Sequence, residues 1–571
     1  MRIIKNIENM LFKFYNEIEH KKIVIITITF VSIYSSLLLI IPGIPGGHDL
    51  TFHLSRISAI ADGLKLGEFL PVKVYPNYFN GYGYANGLFY GDVFLYFPAV
   101  LCLIGLDVIT SYKVFLFICA IFTALSIYIC VKNIAKSRFA AIVSMILYVL
   151  SSYRTVDVYI RAAVGEVLAF IFIPIIVLGM YYIIYDDKKK WYIITIGFTG
   201  LFLSHNISAV IMVGFVTLIL SISYKKIIKE PNRLSYLIIA TIMTILLTAF
   251  FLVPMIEQFL TDKFVVNIET VTSEIWKTTM PIYKIIFEIP YSLLFLPGIS
   301  GIGVVFLVII FLRFKIKSDK SEVFNFLNIC FGMGIISLLA VTRIFPWKMI
   351  IKVTNKLSAI QFSWRLYLFA TLFLSISGGI IILRYCNSIK IRIKISTIIL
   401  LLSIFACSIN MFAQYGFYGI MQLKGLHDVS INPYRIGLGE YLPEGTDKNK
   451  LYERGDIISS NNNIGFQFER KGTNLDIKFS NNNYDNTYIE LPLLYYLGYE
   501  AIYYNESEKY ILPISKGENN VIRVDLQQYN EGRIIVTYKG TKLQKLTGYI
   551  SLISLILFSL YLLYLNNNWK K

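Results

Sequence analysis

Long apolar runs separated by short polar connections make up most of the chain. A helix that crosses a bilayer needs about 20 apolar residues, and runs that meet or approach this length recur about 12 times. They begin at Ile23, Tyr112, Phe139, Val164, Trp191, Ile207, Leu234, Tyr291, Val323, Trp364, Ile395 and Leu546. The pattern predicts a polytopic α-helical membrane protein with about 12 transmembrane helices.

Basic residues gather in the connections that follow every second run. These connections all fall on one side if every run crosses, which is the positive-inside arrangement. The clusters lie at 21–22, 132–138, 188–190, 225–233, 313–320, 384–394 and 570–571. We therefore expect a multi-pass membrane protein with both termini in the cytoplasm.

Composition agrees with this interpretation. Of the 571 residues, 56% are hydrophobic and 16% are charged, whereas an average soluble domain has about 25% charged residues. These values exclude a soluble multidomain enzyme and a disordered chain. The net charge of +18 is explained by topology, so we expect no nucleic-acid partner. The six cysteines lie in or beside apolar runs without metal-ligand spacing, so the sequence supports neither a disulfide framework nor a zinc site.

The same topology places two long segments outside the cell. The first is the loop 42–111, which contains a short apolar piece at 93–106 that we expect to be interfacial or re-entrant. The second, 414–545, has short alternating runs such as 475–479, 521–526 and 534–538, separated by Gly and Asn. Alternation at period two predicts β-strands. We expect a transmembrane domain over 1–413, an extracytoplasmic all-β domain of sandwich or jelly-roll type over 414–545, and a final transmembrane helix with a cytoplasmic tail over 546–571.

Three chemically active side chains open the first outer loop. A helix beginning near Leu50 would place an apolar stripe on one face and group Asp49, His53 and Arg56 at its edge. Such a helix would lie in the membrane interface. Asp49 could act as a general base and an arginine could hold a phosphate. The alternative is that Asp49 caps the helix and pairs with Arg56. His48 precedes this group as a further binding candidate.

The loop continues with a segment rich in glycine and tyrosine, from Gly81 to Asp92. Glycine allows the backbone to approach a ligand, and Tyr82 could stack on a sugar ring. An ordinary interfacial aromatic loop would have the same composition. Asp92 is a second candidate acid.

Further polar groups collect at the predicted outer ends of the helices. They are Tyr153, Arg154, Asp157, Arg161 and Glu166 between the third and fourth runs, His205 between the fifth and sixth, and Arg365 at the start of the tenth. Ionisable groups at membrane depth are candidates for function, although those at helix ends can also snorkel. A transporter more often binds its substrate near the midplane. This distribution favours chemistry at the outer face.

At this point the sequence resembles a known class of protein. The matching stretches are 48–56, Gly81–Gly83, Arg161–Glu166, Ser204–Asn206, Gln361–Arg365 and Gly439–Pro443. Together they resemble GT-C-fold membrane glycosyltransferases. The similarity is greatest to bacterial membrane proteins described as 6-pyruvoyl-tetrahydropterin-synthase-related and to YfhO-like glycosyltransferases. Two departures affect the expected loop geometry, since Gly91–Asp92 and Ser363 stand where the family pattern has prolines.

The resemblance implies an inverting transfer of a sugar from a polyprenyl-phosphate donor to a hydroxyl of a cell-envelope glycan or lipid. Asp49 would be the general base. Arg161, Arg365 or His205 would meet the lipid phosphate, while Glu166 or Asp92 would orient the acceptor or bind a divalent cation. Membrane lipid would be a further partner.

Two other hypotheses stay open at this point. The chain could be a lipid-linked glycan transporter or an envelope polysaccharide assembly factor without catalysis, with a glycan bound by the β-rich domain. It could also be a scaffold whose active-site residues are degenerate.

Overall fold

The computed structural model describes residues 21–568, apart from 45–46, 69–70, 267–274, 287–302, 355–356, 358–359, 387, 415–438, 454, 461–463, 482–486, 506–508 and 528. Most of the predicted run that begins at Tyr291 lies outside these residues, and so do the two terminal lysines. Residues 415–438, at the start of the predicted β-rich domain, also lie outside them.

Helices occupy most of the described chain. They are α1 (Lys21–Tyr34), α2 (Leu50–Leu66), α3 (Asn86–Phe89), α4 (Tyr96–Leu103), α5 (Val108–Ala135), α6 (Arg138–Val149), α7 (Ser152–Tyr159), α8 (Val164–Tyr185), α9 (Tyr192–Phe202), α10 (Asn206–Ile222), α11 (Tyr224–Lys229), α12 (Asn232–Thr261), α13 (Ile282–Ile286), α14 (Val304–Arg313), α15 (Glu322–Val341), α16 (Trp347–Val353), α17 (Leu366–Tyr385), α18 (Ile389–Gln414), α19 (Lys448–Glu453) and α20 (Lys542–Asn568).

Seven helices of the described chain are long and apolar enough to cross a membrane, namely α5, α8, α12, α15, α17, α18 and α20. An eighth span results if α6 and α7, which meet at a 43° bend, form one crossing. The predicted polytopic helical architecture is thus confirmed, but the count of 12 crossings is not. The runs beginning at Ile23, Trp191 and Ile207 form helices of 14, 11 and 17 residues. Counting apolar runs overestimates the number of membrane crossings, because helices too short to cross can also be apolar.

The chain divides into two compact units. The first comprises the described residues within Met1–Leu50, Tyr112–Thr244 and Val271–Val429. In it α17 packs against α6, α14 and α15, and α8 packs against α9. Close approach requires small residues here, since a Cβ on Gly379 of α17 would lie 2.2 Å from the Ala140 carbonyl oxygen of α6. α8 and α17 are buried almost throughout.

The second unit comprises the described residues within Thr51–Ser111, Ile245–Thr270 and Ser430–Lys571. It joins most of the first predicted outer loop to the β-rich region and the last helix, so the compact units divide the chain differently from the predicted domains. Two hydrogen bonds illustrate the association within it. The Leu494 N–H donates to the Tyr82 carbonyl oxygen at 2.8 Å, and the Ser551 hydroxyl on α20 donates to the Leu246 carbonyl oxygen of α12 at 2.7 Å.

The β-rich region is a sandwich of two antiparallel sheets. Its strands are β1 (Ile458–Ser459), β2 (Ile464–Lys471), β3 (Asn474–Asn481), β4 (Thr487–Leu494), β5 (Tyr499–Tyr504), β6 (Lys509–Leu512), β7 (Ile514–Lys516), β8 (Val521–Gln527) and β9 (Glu531–Tyr538). The sheet orders are β1-β4-β8-β7 and β2-β3-β9-β5-β6. Alternate residues such as Leu475 and Ile477 of β3 and Ile522 and Val524 of β8 share one buried core. The three alternating runs predicted as strands are therefore confirmed.

Helix α2 begins at Leu50, as the sequence predicted, but its environment differs from the prediction. The apolar residues Leu54 and Ile57 are buried, and so are His53 and Arg56 on the face that we expected to be polar and accessible. The expected accessible polar edge of this helix is therefore corrected, whereas its position in the membrane interface stays a prediction. Local periodicity could not reveal this because the partner of Arg56 lies far along the chain.

Candidate active site

A segment that carries His48 and Asp49 is held against the connection between α7 and α8. The Asp49 N–H donates to the Arg161 carbonyl oxygen at 2.8 Å, and the His48 N–H donates to the Ile160 carbonyl oxygen at 3.1 Å. A Cβ on Gly47 would lie 2.8 Å from that of Ala162, closer than such atoms can approach. Gly47 therefore permits the contact that fixes Asp49.

The Arg161 side chain organises a buried polar group, which we call the Arg161 cluster (Tyr153, Asp157, Arg161, Glu166 and Arg365). Arg161 Nη1 donates to Asp157 Oδ1 at 2.6 Å and to the Tyr153 hydroxyl at 3.0 Å, and Nη2 donates to Glu166 Oε1 at 2.7 Å. The Tyr153 hydroxyl donates to Glu166 Oε2 at 2.7 Å. Buried charges need such pairing because their desolvation is costly.

Local sequence explains how these side chains meet. Tyr153, Asp157 and Arg161 follow one another at intervals of four residues along α7 and its extension, which places them on one helical face. Glu166 lies in the first turn of α8, where the helix dipole favours a carboxylate. The four residues are thus brought together by one helix end and the next helix start.

Arg365 extends the cluster from the beginning of α17. Its Nε donates to Glu166 Oε1 at 3.3 Å, while Nη1 donates to the Ile360 carbonyl oxygen at 2.9 Å and to Gln361 Oε1 at 2.7 Å. Its Nη2 donates to none of the described residues. Arg365 therefore has a donor left for a ligand, whereas both terminal nitrogens of Arg161 are used by the protein.

His205 lies at the N-terminus of α10. Its Nδ1 is 2.7 Å from the Ser208 hydroxyl and accepts from the Ser208 N–H at 3.4 Å. The imidazole is close enough to Glu166 to interact with it electrostatically. His205 thus belongs to the surroundings of the Arg161 cluster.

Asp49 differs from the other carboxylates of this unit. It is accessible, and its side chain makes no hydrogen bond or ion pair with any described residue. Burial by the surrounding protein nevertheless raises its pKa, an effect opposed by Arg161 and increased by Glu166. Burial also lowers the pKa of His48, with Asp49 opposing and Arg161 reinforcing the change. The site therefore presents an uncommitted carboxylate beside a neutral imidazole at neutral pH.

An apolar groove of about 310 Å³ adjoins the cluster. It runs between α10, α15 and the start of α17, and its lining includes Ile211, Gly214, Phe215, Ile336 and Leu366. Asn206, next to His205, and Ile360, whose carbonyl binds Arg365, also line it. The groove is thus lined by residues next to, or bound to, two of the candidate phosphate-binding side chains, His205 and Arg365.

A second buried group surrounds Arg56 in the other unit. Arg56 Nε donates to Asp92 Oδ1 at 2.9 Å, and Nη2 donates to the same carboxylate and, at 2.9 Å, to the Gly91 carbonyl oxygen. Its Nη1 lies 3.0 Å from His53 Nδ1, and its guanidinium stacks 4.1 Å from the Tyr90 ring centre. Arg56 therefore pairs with Asp92, and the alternative pairing with Asp49 is not observed.

Asp92 and Tyr82, two further predicted binding residues, are also committed to the protein. The Tyr75 hydroxyl donates to Asp92 Oδ2, and Tyr82 is fully buried between two glycines of positive φ. In the part of the chain that the structure describes, no three His, Cys, Asp or Glu side chains are grouped so that they could hold a metal ion. Glu166 and Asp92, the carboxylates expected to bind a divalent cation, are each paired with arginine.

The roles of Gly47 and of the residues that line the apolar groove were not predicted from the sequence. Two consecutive glycines, Gly46 and Gly47, precede His48 and Asp49 and are typical of a backbone that approaches another segment closely. The segment that Gly47 contacts lies more than a hundred residues away along the chain. Gly214 lay within a run that we interpreted only as a membrane crossing. Neither role follows from local pattern.

We expect Glu166→Gln to destabilise the protein by about 3–5 kcal/mol, because it leaves buried arginines without their counter-charge. The free energy of unfolding in detergent would measure this. A matched control is Glu500→Gln, which breaks a surface pair with Lys539 at 2.7 Å and should cost less than about 1 kcal/mol. Equal effects of the two changes would contradict a supporting role for Glu166.

The sequence of the chain is similar to that of a curated protein. A protein described as uncharacterized from Lactococcus lactis subsp. cremoris is 25% identical over 363 residues, which are 60% of this chain. The chain spans about half the length of that curated relative, since the match covers 56% of it.

Two solved structures share a partial likeness. The apo oligosaccharyltransferase of Archaeoglobus fulgidus matches with a TM-score of 0.40 and 13% identity, over 70% of this chain and 57% of that one. The arabinofuranosyltransferase AftD from Mycobacteria matches with a TM-score of 0.39 and 12% identity, over 68% of this chain and 27% of that one. Both scores are below 0.5, so any functional assignment depends on the site itself.

The family comparison covers more than half of the chain and includes most of the residues described above. The model of the 6-pyruvoyl-tetrahydropterin synthase related domain, a membrane protein family, matches residues 89–413. The Arg161 cluster, His205 and the apolar groove all fall within this range. The chain therefore belongs to the 6-pyruvoyl-tetrahydropterin synthase related family of membrane proteins.

Proposed function

We propose that this protein is an inverting membrane glycosyltransferase that moves a sugar from a polyprenyl-phosphate donor to a hydroxyl of a cell-envelope acceptor. The reaction would take place at the outer face of the bacterial plasma membrane. The observation that carries the proposal is the accessible Asp49 carboxylate, which has no partner among the described residues and is held beside a group of arginines that adjoins an apolar groove.

Asp49 acts as the general base in this proposal. The acceptor hydroxyl oxygen attacks the anomeric carbon while its proton passes to Asp49, and the bond from that carbon to the phosphate oxygen breaks. The electron pair leaves with the phosphate, and the anomeric configuration inverts. A raised pKa suits this role because a base works best when its pKa approaches the working pH.

Arg365 holds the leaving phosphate, and His205 assists at the same end of the groove. The Nη2 of Arg365 has no partner among the described residues, so it can donate to a phosphate oxygen. Glu166 and Gln361 fix the rest of the guanidinium, which limits the entropy lost when the ligand binds. Arg161 positions Asp49 and Glu166 instead of binding substrate.

The groove accommodates the isoprenoid chain of the donor. Burying apolar surface contributes roughly 25 cal/mol per Å², and the groove lining is almost wholly apolar. Because Ile360 and Asn206 connect the groove to Arg365 and His205, a chain in the groove would leave its phosphate beside these two side chains. The proposal therefore assigns one continuous site to a lipid-linked donor.

We expect Asp49→Asn to lower kcat at least about 100-fold, because the amide cannot accept the proton. The measurement is transfer of a radiolabelled sugar from a polyprenyl-phosphate donor by purified protein in lipid nanodiscs. A screen of several sugars and envelope acceptors comes first, to establish activity of the unaltered chain.

The same variant separates loss of chemistry from loss of fold. Folding raises the pKa of Asp49, so the ionised carboxylate is disfavoured in the native state and its replacement by Asn should leave stability equal or higher. Full activity of Asp49→Asn would contradict catalysis by Asp49. Failure of the unaltered chain to transfer any sugar in the screen would instead favour the hypothesis of a non-catalytic transporter or assembly factor.

We expect kcat/KM to fall on the acid side of its pH profile as Asp49 becomes protonated. Because burial raises the pKa of Asp49 and Arg365 lowers it, the decline should occur above the ordinary range of an aspartate. It should move to higher pH in Arg365→Gln, whatever the residual rate. The measurement is the pH dependence of kcat/KM for the unaltered chain and for Arg365→Gln. An acid-side decline at the same pH in both would argue against Asp49 as the titrating group.

We expect Gly214→Leu to raise KM for a long-chain donor about tenfold, by filling the groove with apolar volume. A Cβ on Gly214 meets no atom within 4 Å, so the change should not disturb packing. A short-chain donor analogue should retain its KM. Gly332→Leu is the matched control, since this glycine also faces open space but does not line the groove. Equal effects on both donors would contradict a lipid-chain site.

A further inference from the structure

Arg154 is an exception among the buried arginines. Four arginines are buried in the described part of the chain, namely Arg56, Arg154, Arg161 and Arg233. Three of them pair with a carboxylate. Arg56 pairs with Asp92, Arg161 pairs with Asp157 and Glu166, and Arg233 pairs with Glu230. No described carboxylate pairs with Arg154, although its side chain is only 1% exposed.

The hydrogen bonds of Arg154 are also incomplete. Its Nη1 donates to the Val149 carbonyl oxygen at 3.3 Å, at the C-terminal end of α6. Its Nε has no partner among the described residues. One long bond to a carbonyl leaves most of the five guanidinium N–H donors unsatisfied, and an uncompensated buried charge is strongly unfavourable.

The strongest electrostatic neighbours of Arg154 in the described protein are uncharged. They are the side chains of Tyr148, Tyr159, Cys119 and Cys407, which are neutral at neutral pH. They belong to α5, α6, α7 and α18. Tyr153 and Asp157 on the same helix bind Arg161 and make no hydrogen bond with Arg154.

We infer that Arg154 is a second anion site, distinct from the proposed sugar-transfer site, and that it binds a phosphate group. A guanidinium matches the bidentate geometry of phosphate and is less strongly hydrated than an ammonium group. The phosphate belongs either to a lipid headgroup or to a small soluble molecule, and the chemistry of recognition is the same. An anion at this position supplies the counter-charge that the described protein does not.

The test compares the unaltered full chain with Arg154→Met and Arg154→Lys in detergent. The midpoint of thermal unfolding is measured alone, with phosphatidylglycerol, with phosphatidylcholine and with inorganic phosphate. A ligand that binds only the folded state raises the midpoint. We expect a rise of about 2 °C or more for the unaltered chain, a smaller rise for Arg154→Lys and the smallest for Arg154→Met, in which phosphate can still bind at the proposed donor site.

The ligands distinguish the source of the phosphate. A rise with phosphatidylglycerol alone indicates an anionic lipid, a rise with both lipids indicates a general lipid phosphate, and a rise with inorganic phosphate indicates a soluble group. Arg233→Met is the matched control, because Arg233 already has Glu230 and two carbonyl oxygens. This variant should be less stable but keep the full ligand-dependent rise.

Two results would overturn the inference. One is an equal rise in the unaltered chain and in Arg154→Met, and the other is no rise with any of the ligands. If Arg154→Met does not fold, native mass spectrometry of the unaltered chain and Arg154→Lys replaces it, and absence of retained phosphate or phospholipid from the unaltered chain then rejects the site. These outcomes are independent of sugar transfer.

Discussion

The geometry of the candidate site depends on the need to compensate one buried guanidinium. Arg161 is removed from water and is held by Asp157, Tyr153 and Glu166. Those contacts fix the connection between α7 and α8, and the carbonyl oxygen of the same residue accepts the Asp49 N–H. The position of Asp49 is thus set by the backbone of the residue whose side chain organises the cluster. Gly47 completes the arrangement because a larger residue would separate the two segments.

The carboxylates of the candidate site divide into two kinds. Asp157 and Glu166 are buried and tied to arginine, so their charge is already used in stabilising the fold. Asp49 is accessible and has no such partner among the described residues. A protein that needed these acids only for stability would gain nothing from an unpaired carboxylate whose charged form is disfavoured. This contrast is why Asp49, and not Glu166, is the better candidate for proton transfer.

Features determined by local pattern could be predicted from the sequence. The long apolar helices, the strands at 475–479 and 521–526, and the start of a helix at Leu50 all follow from periodicity and turn residues. The pairing of Arg56 with Asp92, 36 residues away, does not, because nothing local distinguishes a buried arginine from a surface one. The same limit applies to Asp49, whose contact with Arg161 joins segments more than a hundred residues apart. The residues were identified from their chemistry, but their roles depended on contacts that only the fold supplies.

The proposed mechanism links donor binding to the strength of the base. Two influences oppose each other at Asp49, since burial raises its pKa while Arg161 and Arg365 lower it. A donor phosphate on Arg365 would neutralise part of that positive charge, and the donor itself would exclude water from the carboxylate. Both changes raise the pKa of Asp49 further. The carboxylate would thus become a stronger base when the donor is in place, so that the acceptor is activated in the presence of the sugar it is to receive.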